Sequence, residues 1–179
     1  RILAIDGALN HSGWVVLDDK GGEGWEGVKA SKYGTITTKP TMSLGFKLTY
    51  IKNELTKLIK SLRADVVVVE ETYSGKNALT NARLNNAKGV ILQTVFEVLG
   101  TDPTTVTAAV ARKCVGFKNN KDEPFAFFKK KYNLPESFEK GNDITDAYTV
   151  GWWYILTRRG DCVKFHKKRT TKRSKKRKK

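Results

Sequence analysis

The chain has 179 residues, 39% hydrophobic and 29% charged, a balance that supports one domain with its own core and argues against a disordered polypeptide. No apolar run is long enough to span a bilayer, and no signal peptide is visible. Lys and Arg number 34 against 18 Asp and Glu, a net +16, and eleven of the basic residues lie in 164–179, a stretch without an acid. Most of the excess charge therefore sits on an appendage, and a polyanion is the expected partner, since each neutralised phosphate releases counterions. The two cysteines, Cys114 and Cys162, make no disulfide framework. They are expected to be ordinary packed or exposed thiols of an intracellular, reducing compartment.

In chain order, Ile2–Asp6 is a short apolar run that ends in an acid. Gly13–Leu17 is apolar again and leads into the turn signal Asp18-Asp19-Lys20-Gly21-Gly22. Tyr33–Thr38, rich in Thr and Ile, completes an expected antiparallel meander. Over Met42–Leu62 the apolar residues Leu44, Leu48, Ile51, Leu55, Leu58, Ile59 and Leu62 fall at helical spacing with lysines between them. Ala64–Glu70 follows, with four valines in succession. This is the pattern of a strand buried on both faces, and it too ends in an acid.

Lys76–Leu99 reads as a second helix, with Ala78, Ala82, Ala87 and Gly89 keeping part of its surface small. A strand is expected at Asp102–Val106, then a helix over Thr107–Val115 that stops at Gly116. A further helix should start at Lys121 or Asp122 and run through Phe125, Phe127 and Phe128 to Tyr132. The last helix is Asp143–Arg158, ended by Gly160. A meander followed by alternating helices and strands predicts an α/β fold, a mixed five-stranded sheet with helices on both faces. The expected organisation is one domain over 1–160 and a basic, DNA-binding tail over 161–179 without fixed structure.

Four acids stand out by position. Asp6 and Glu70 close two strands, and Asp143 and Asp146 share one face at the start of the last helix, at i and i+3. Singly each has a plainer explanation: Asp6 a turn former, Glu70 a charge at a strand end, Asp143 an N-cap, Asp146 a complement to the helix dipole. Together, in a basic protein, they suit hard divalent cations with oxygen ligands. Two Mg²⁺ about 3.5–4 Å apart would clamp an in-line phosphodiester hydrolysis.

The segments that bear these acids resemble the RuvC family of Holliday junction resolvases. Ile2-Leu3-Ala4-Ile5-Asp6-Gly7 is similar to its first strand. Glu70-Glu71-Thr72-Tyr73-Ser74-Gly75-Lys76-Asn77 is similar to the segment with a catalytic Glu, an aromatic three residues on, and then Lys-Asn. Ala87-Lys88-Gly89, Val115-Gly116 and Asp143-Ile144-Thr145-Asp146-Ala147 follow in the family's order, so the likeness runs from residue 2 to about residue 155. It departs at Gly7-Ala8, where the family has Pro-Gly, and near Ala111, where the family has a Lys and this chain has Arg112 and Lys113 beside the position. A phage, viral or organellar branch would fit such drift, in the first case working in the cytoplasm of a bacterial host.

The resemblance implies an RNase H-like fold and a homodimer that cuts four-way DNA junctions with two Mg²⁺ ions, Mn²⁺ substituting. Asp6, Glu70, Asp143 and Asp146 would then be the metal-binding and catalytic acids. Tyr73 would stand in the position of an aromatic wedge at the junction, Lys121 in that of a basic residue near the scissile phosphate, and Lys76, Asn77 and Lys118 would be further DNA contacts. A broader nuclease of forks, flaps and three-way junctions, an RNase H-type ribonuclease and a non-catalytic DNA-binding module are the alternatives. The plainer readings elsewhere put Trp152, Trp153, Tyr154 and the Phe125–Phe128 aromatics in the core or an interface. They leave His11 an exposed loop residue and make Cys162 and His166 too few for a zinc site.

Overall fold

The computed structural model describes residues 1–71, 78–118, 122–135 and 143–162. In chain order the elements are β1 (Ile2–Asp6), β2 (His11–Asp19), β3 (Val28–Thr37), α1 (Leu44–Leu62), β4 (Val66–Glu71), α2 (Ala78–Leu99), β5 (Thr104–Thr107), α3 (Ala108–Val115), α4 (Asp122–Lys131) and α5 (Asp143–Arg159). The sheet order is β3-β2-β1-β4-β5. The first three strands form the antiparallel meander, and β4 and β5 join in parallel. This is the RNase H-like arrangement, with the meander longer than its apolar cores alone indicate, because polar residues extend β2 at both ends and β3 already begins at Val28.

Two cores lie on the two faces of the sheet. One, beneath α1 and α2, takes Leu3, Ile5, Val16, Val67 and Val69 from the strands. The other, beneath α3, α4 and α5, takes Ile2, Ala4, Val15, Leu17 and Val68. The period of two explains this division, because successive side chains leave a strand on opposite faces. In the valine run Val67, Val68 and Val69 are each at most 1% exposed, and each such burial contributes about 1.5–3 kcal/mol.

The helix ends follow from local chemistry. The Ser43 side chain accepts from the Phe46 N–H at the start of α1, and Thr107 does the same for Val110 at the start of α3, each satisfying one orphan donor of a first turn. Gly116, at φ 87, closes α3 in the left-handed conformation that favours glycine. Trp152 is fully buried against Trp25 and Phe128 is likewise inside, as the plainer reading of these aromatics expects.

Two expectations fail: His11, expected in a loop, opens β2 and pairs with Thr37, and the cysteines are not separate thiols. Cys114 at the end of α3 and Cys162 just beyond α5 are joined as a disulfide, with Cα atoms 4.6 Å apart. Forty-eight residues separate them in sequence, and only the packing of α3 against α5 brings them together. Among the described residues no helix is long and apolar enough to cross a membrane.

Candidate active site

The site is built where β1 and β4 end side by side. The two strands are parallel, in register through Ile5 and Val69, so the next residues, Asp6 and Glu70, lie at neighbouring strand ends. Alternation gives both the same face as Ala4 and Val68, the face covered by α5. The neighbouring acid Glu71 has the opposite parity and other partners, Thr105 Oγ1 at 3.1 Å and Lys88 Nζ at 3.7 Å. That separates the two glutamates, which adjacency in sequence leaves alike.

Gly13 brings in the third acid. It pairs with Asp6 across the β1–β2 ladder, and a Cβ built on it would fall 2.2 Å from the Asp143 carbonyl carbon and 2.4 Å from the Ile144 nitrogen. The start of α5 therefore rests on bare backbone. The stripe continues through Ala147, fully buried, and Gly151, whose added Cβ would meet Leu17 and Ala4. Ala147 and Gly151, four and eight residues after Asp143 on the same face, let the helix lie close to the sheet. Asp6, Glu70 and Asp143 are each half-buried and converge on one end of the sheet.

Asp146 is different. It is 2% exposed, and its Oδ1 accepts a 2.7 Å charge-assisted hydrogen bond from the Arg112 guanidinium of α3. Arg112 is the residue whose pairing with Asp146 sequence reasoning did not anticipate. The only signal was a basic residue next to the place where the family carries one. The set Asp6, Glu70, Asp143 and Asp146 offers only carboxylate oxygens, the donor chemistry of Mg²⁺ or Mn²⁺ rather than of zinc. As the side chains stand, no three His, Cys, Asp or Glu groups among the described residues are gathered tightly enough to hold a metal ion.

Beside Asp143 opens a cleft of about 520 Å³, lined by the loop after β1, the start of α1, and Arg83 and Leu84 of α2. His11 lies on its exposed rim. Lys118 is exposed, and its backbone N–H donates to Glu123 at 2.9 Å, which places it at the α3–α4 junction. Tyr73, Lys76, Asn77 and Lys121 lie outside the described residues, as does most of the basic tail.

Residues 2–152 match the sequence profile of the family described as crossover junction endodeoxyribonuclease RuvC. A RuvC of Agrobacterium fabrum is 27% identical over 165 residues, covering 90% of this chain and 92% of its own. One from Borrelia turicatae is 37% identical over 99 residues, 52% of this chain and 56% of its own. Among solved structures, Thermus thermophilus RuvC in complex with a Holliday junction substrate superposes with a TM-score of 0.73 at 16% identity, covering 89% of this chain and 96% of that one. The yeast mitochondrial Holliday junction resolvase gives 0.55 at 13% identity, covering 92% and 84%.

Proposed function

This chain belongs to the RuvC family of crossover junction endodeoxyribonucleases, and we propose that it resolves four-way DNA junctions by paired, Mg²⁺-dependent phosphodiester hydrolysis. The observation that carries the reading is the convergence of Asp6, Glu70 and Asp143 at one end of the sheet, set by the β1–β4 register and the Gly13 contact. Carboxylates mounted on strand ends and on a helix packed against them have their backbones fixed, which leaves only side-chain rotation to gather them on a metal, and rigid positioning is what in-line chemistry requires.

In this reading Asp6, Glu70 and Asp143 hold the metal. When bound, Mg²⁺, or Mn²⁺ in its place, supplies the positive charge that lowers the barrier to attack of water on phosphorus. Asp146 completes the acid set while Arg112 fixes its rotamer and offsets its charge. The reaction adds the elements of water across the P–O3′ bond and leaves a 3′-hydroxyl and a 5′-phosphate. Tyr73, Lys76, Asn77, Lys118 and Lys121 contact the junction, Tyr73 as a wedge that replaces a lost base stack. Two symmetric cuts need two sites related by a two-fold axis, which a homodimer provides. The small and apolar exposed positions of α2, among them Ala82, Gly89, Leu79 and Phe96, are the surface for it. The residues beyond 161 act as a general phosphate-attracting tail.

The test is cleavage, with Mg²⁺ and with EDTA, of a four-way junction, a flap, linear duplex and an RNA–DNA hybrid. Metal-dependent, symmetric cutting of the four-way junction in preference to the rest is the expected outcome. Equal cutting of flaps and forks would replace it with the broader nuclease, preference for the hybrid with a ribonuclease, and binding without cutting at any metal concentration with a non-catalytic module. Asp6→Asn, Glu70→Gln and Asp143→Asn should each abolish cutting and leave junction binding intact.

A further inference from the structure

Lys47 stands in an unusual setting. It is the fourth residue of α1 and 9% exposed. Its ammonium makes one hydrogen bond, 2.7 Å to the neutral amide oxygen of Asn10. Neither Lys47 nor Arg83, the other cation lining this cleft, has a carboxylate partner among the described residues. Holding an ammonium part-buried without a counter-charge is unfavourable. The cost is raised here, because the first turn of α1 carries the positive end of the helix dipole and no acid. Such a site is completed by an anion.

The cleft also says which anion. It is shared with Asp143 on one side, and Asn10, which Lys47 grips, lies four residues after Asp6 on the loop leaving β1. A strand whose scissile phosphate sits at Asp6, Glu70 and Asp143 must pass a neighbouring phosphate close to this opening. We propose that the cleft is a second phosphate subsite, in which Lys47 from below and Arg83 from the rim hold a non-scissile phosphodiester of the bound DNA strand and so fix the register of cleavage. This rests on the nuclease reading above and adds to it a site outside the acid cluster. Arg83 is exposed and free to close over the phosphate, while Lys47 is prepaid in position by α1 packing.

A purely structural Lys47, tying down the loop at Asn10, makes the opposite prediction for stability, so the full-length protein separates the two. Lys47→Met keeps the stem and removes the buried charge. It should melt at the wild-type temperature or above, and inorganic phosphate should raise the melting temperature of wild type more than that of the variant. Binding is then read by anisotropy of a labelled four-way junction in Ca²⁺ as salt is varied. Each lost phosphate contact should flatten the slope of log K against log salt by about 0.9, so that a fourfold rise in salt costs each of Lys47→Met and Arg83→Gln about 3.5-fold less affinity than it costs wild type. Arg83→Lys should keep the wild-type slope.

A lower melting temperature for Lys47→Met with an unchanged slope for Arg83→Gln overturns the proposal in favour of a structural lysine. Phosphate protection with both slopes unchanged overturns it in favour of a free-anion site. A wild type that cuts junctions while both variants keep its slope sinks the subsite alone. A wild type that binds no DNA sinks the functional reading with it.

Discussion

The contact between Gly13 and α5 is the most direct handle on the acid cluster, because it can be altered without touching any acid. In Gly13→Ala the new methyl would sit 2.2 Å from the Asp143 carbonyl carbon and 2.4 Å from its oxygen. Ordinary contact begins at 3.4 Å, so the start of α5 must retreat by about 1.2 Å (3.4 less 2.2), and backbone cannot rotate aside as a side-chain end can. Overpacking of this kind costs about 1–3 kcal/mol, or roughly 2–12 °C in melting temperature for a chain of this size. The displacement also carries Asp143 away from Asp6 and Glu70, and a misplacement of about 1 Å can cost on the order of 10²-fold in rate. The assay is single-turnover cleavage of a four-way junction below the melting temperature of every variant, alongside thermal melts. Gly151→Ala is the control: it presses the same helix against Leu17 Cδ1 at 2.7 Å and Ala4 Cβ at 2.9 Å, eight residues from Asp143. It should lose comparable stability and keep its rate. Wild-type cleavage by Gly13→Ala, or equal loss of rate in Gly151→Ala, would refute the claim that Gly13 positions the catalytic helix.

Three further outcomes are expected. Removing one partner of the buried Arg112–Asp146 pair in Arg112→Met should cost about 3–5 kcal/mol, roughly 6–20 °C in a melt, and Arg112→Met/Asp146→Leu should recover much of it; no recovery would show that the pair is not what holds α3 to α5. If the Cys114–Cys162 bond closes its loop of 48 residues in solution, chain entropy alone gives it about 4 kcal/mol, so dithiothreitol or Cys114→Ser should lower the melting temperature, and identical melts with and without reductant would count against it. Truncation after Cys162 should flatten the salt dependence of binding to every DNA shape while leaving the cleavage position unchanged, and a slope equal to that of the full chain would assign the tail to another task.

What was legible in the sequence was what local pattern encodes. Alternation and the valine run gave the strands, the apolar stripe of α1 gave its helix, and Gly116 and Gly160 gave two stops. The acids at strand ends could be singled out because an apolar run that closes on a carboxylate is a local feature. Lys47 was legible in principle: it lies four residues before Ile51 and eight before Leu55, on the buried stripe of α1, yet among so many lysines it passed as one of the solvated face. The Arg112–Asp146 pair and the Cys114–Cys162 link join residues 34 and 48 apart. No period or motif reports such distances, because helix packing sets them.

Those hidden links share one element. α5 meets bare backbone at Gly13 and an ion pair from Arg112 near its start. At its far end Arg159 donates to the carbonyls of Gly21, Gly24 and Glu26 and pairs with Asp19, Asp161 accepts from the Gly24 N–H, and Cys162 is tied to α3. The loop of the β2–β3 hairpin is thus the clamp on the last turn. A helix that carries two acids of the proposed site, the others mounted on strands, has to be fixed along its axis as well as across it, since a slide of one residue, about 1.5 Å, would separate Asp143 from the strand ends as surely as the retreat forced by Gly13→Ala. The hairpin and the disulfide block that slide from one end, Arg112 blocks it from the other, and the small residues Gly13, Ala147 and Gly151 set the height above the sheet.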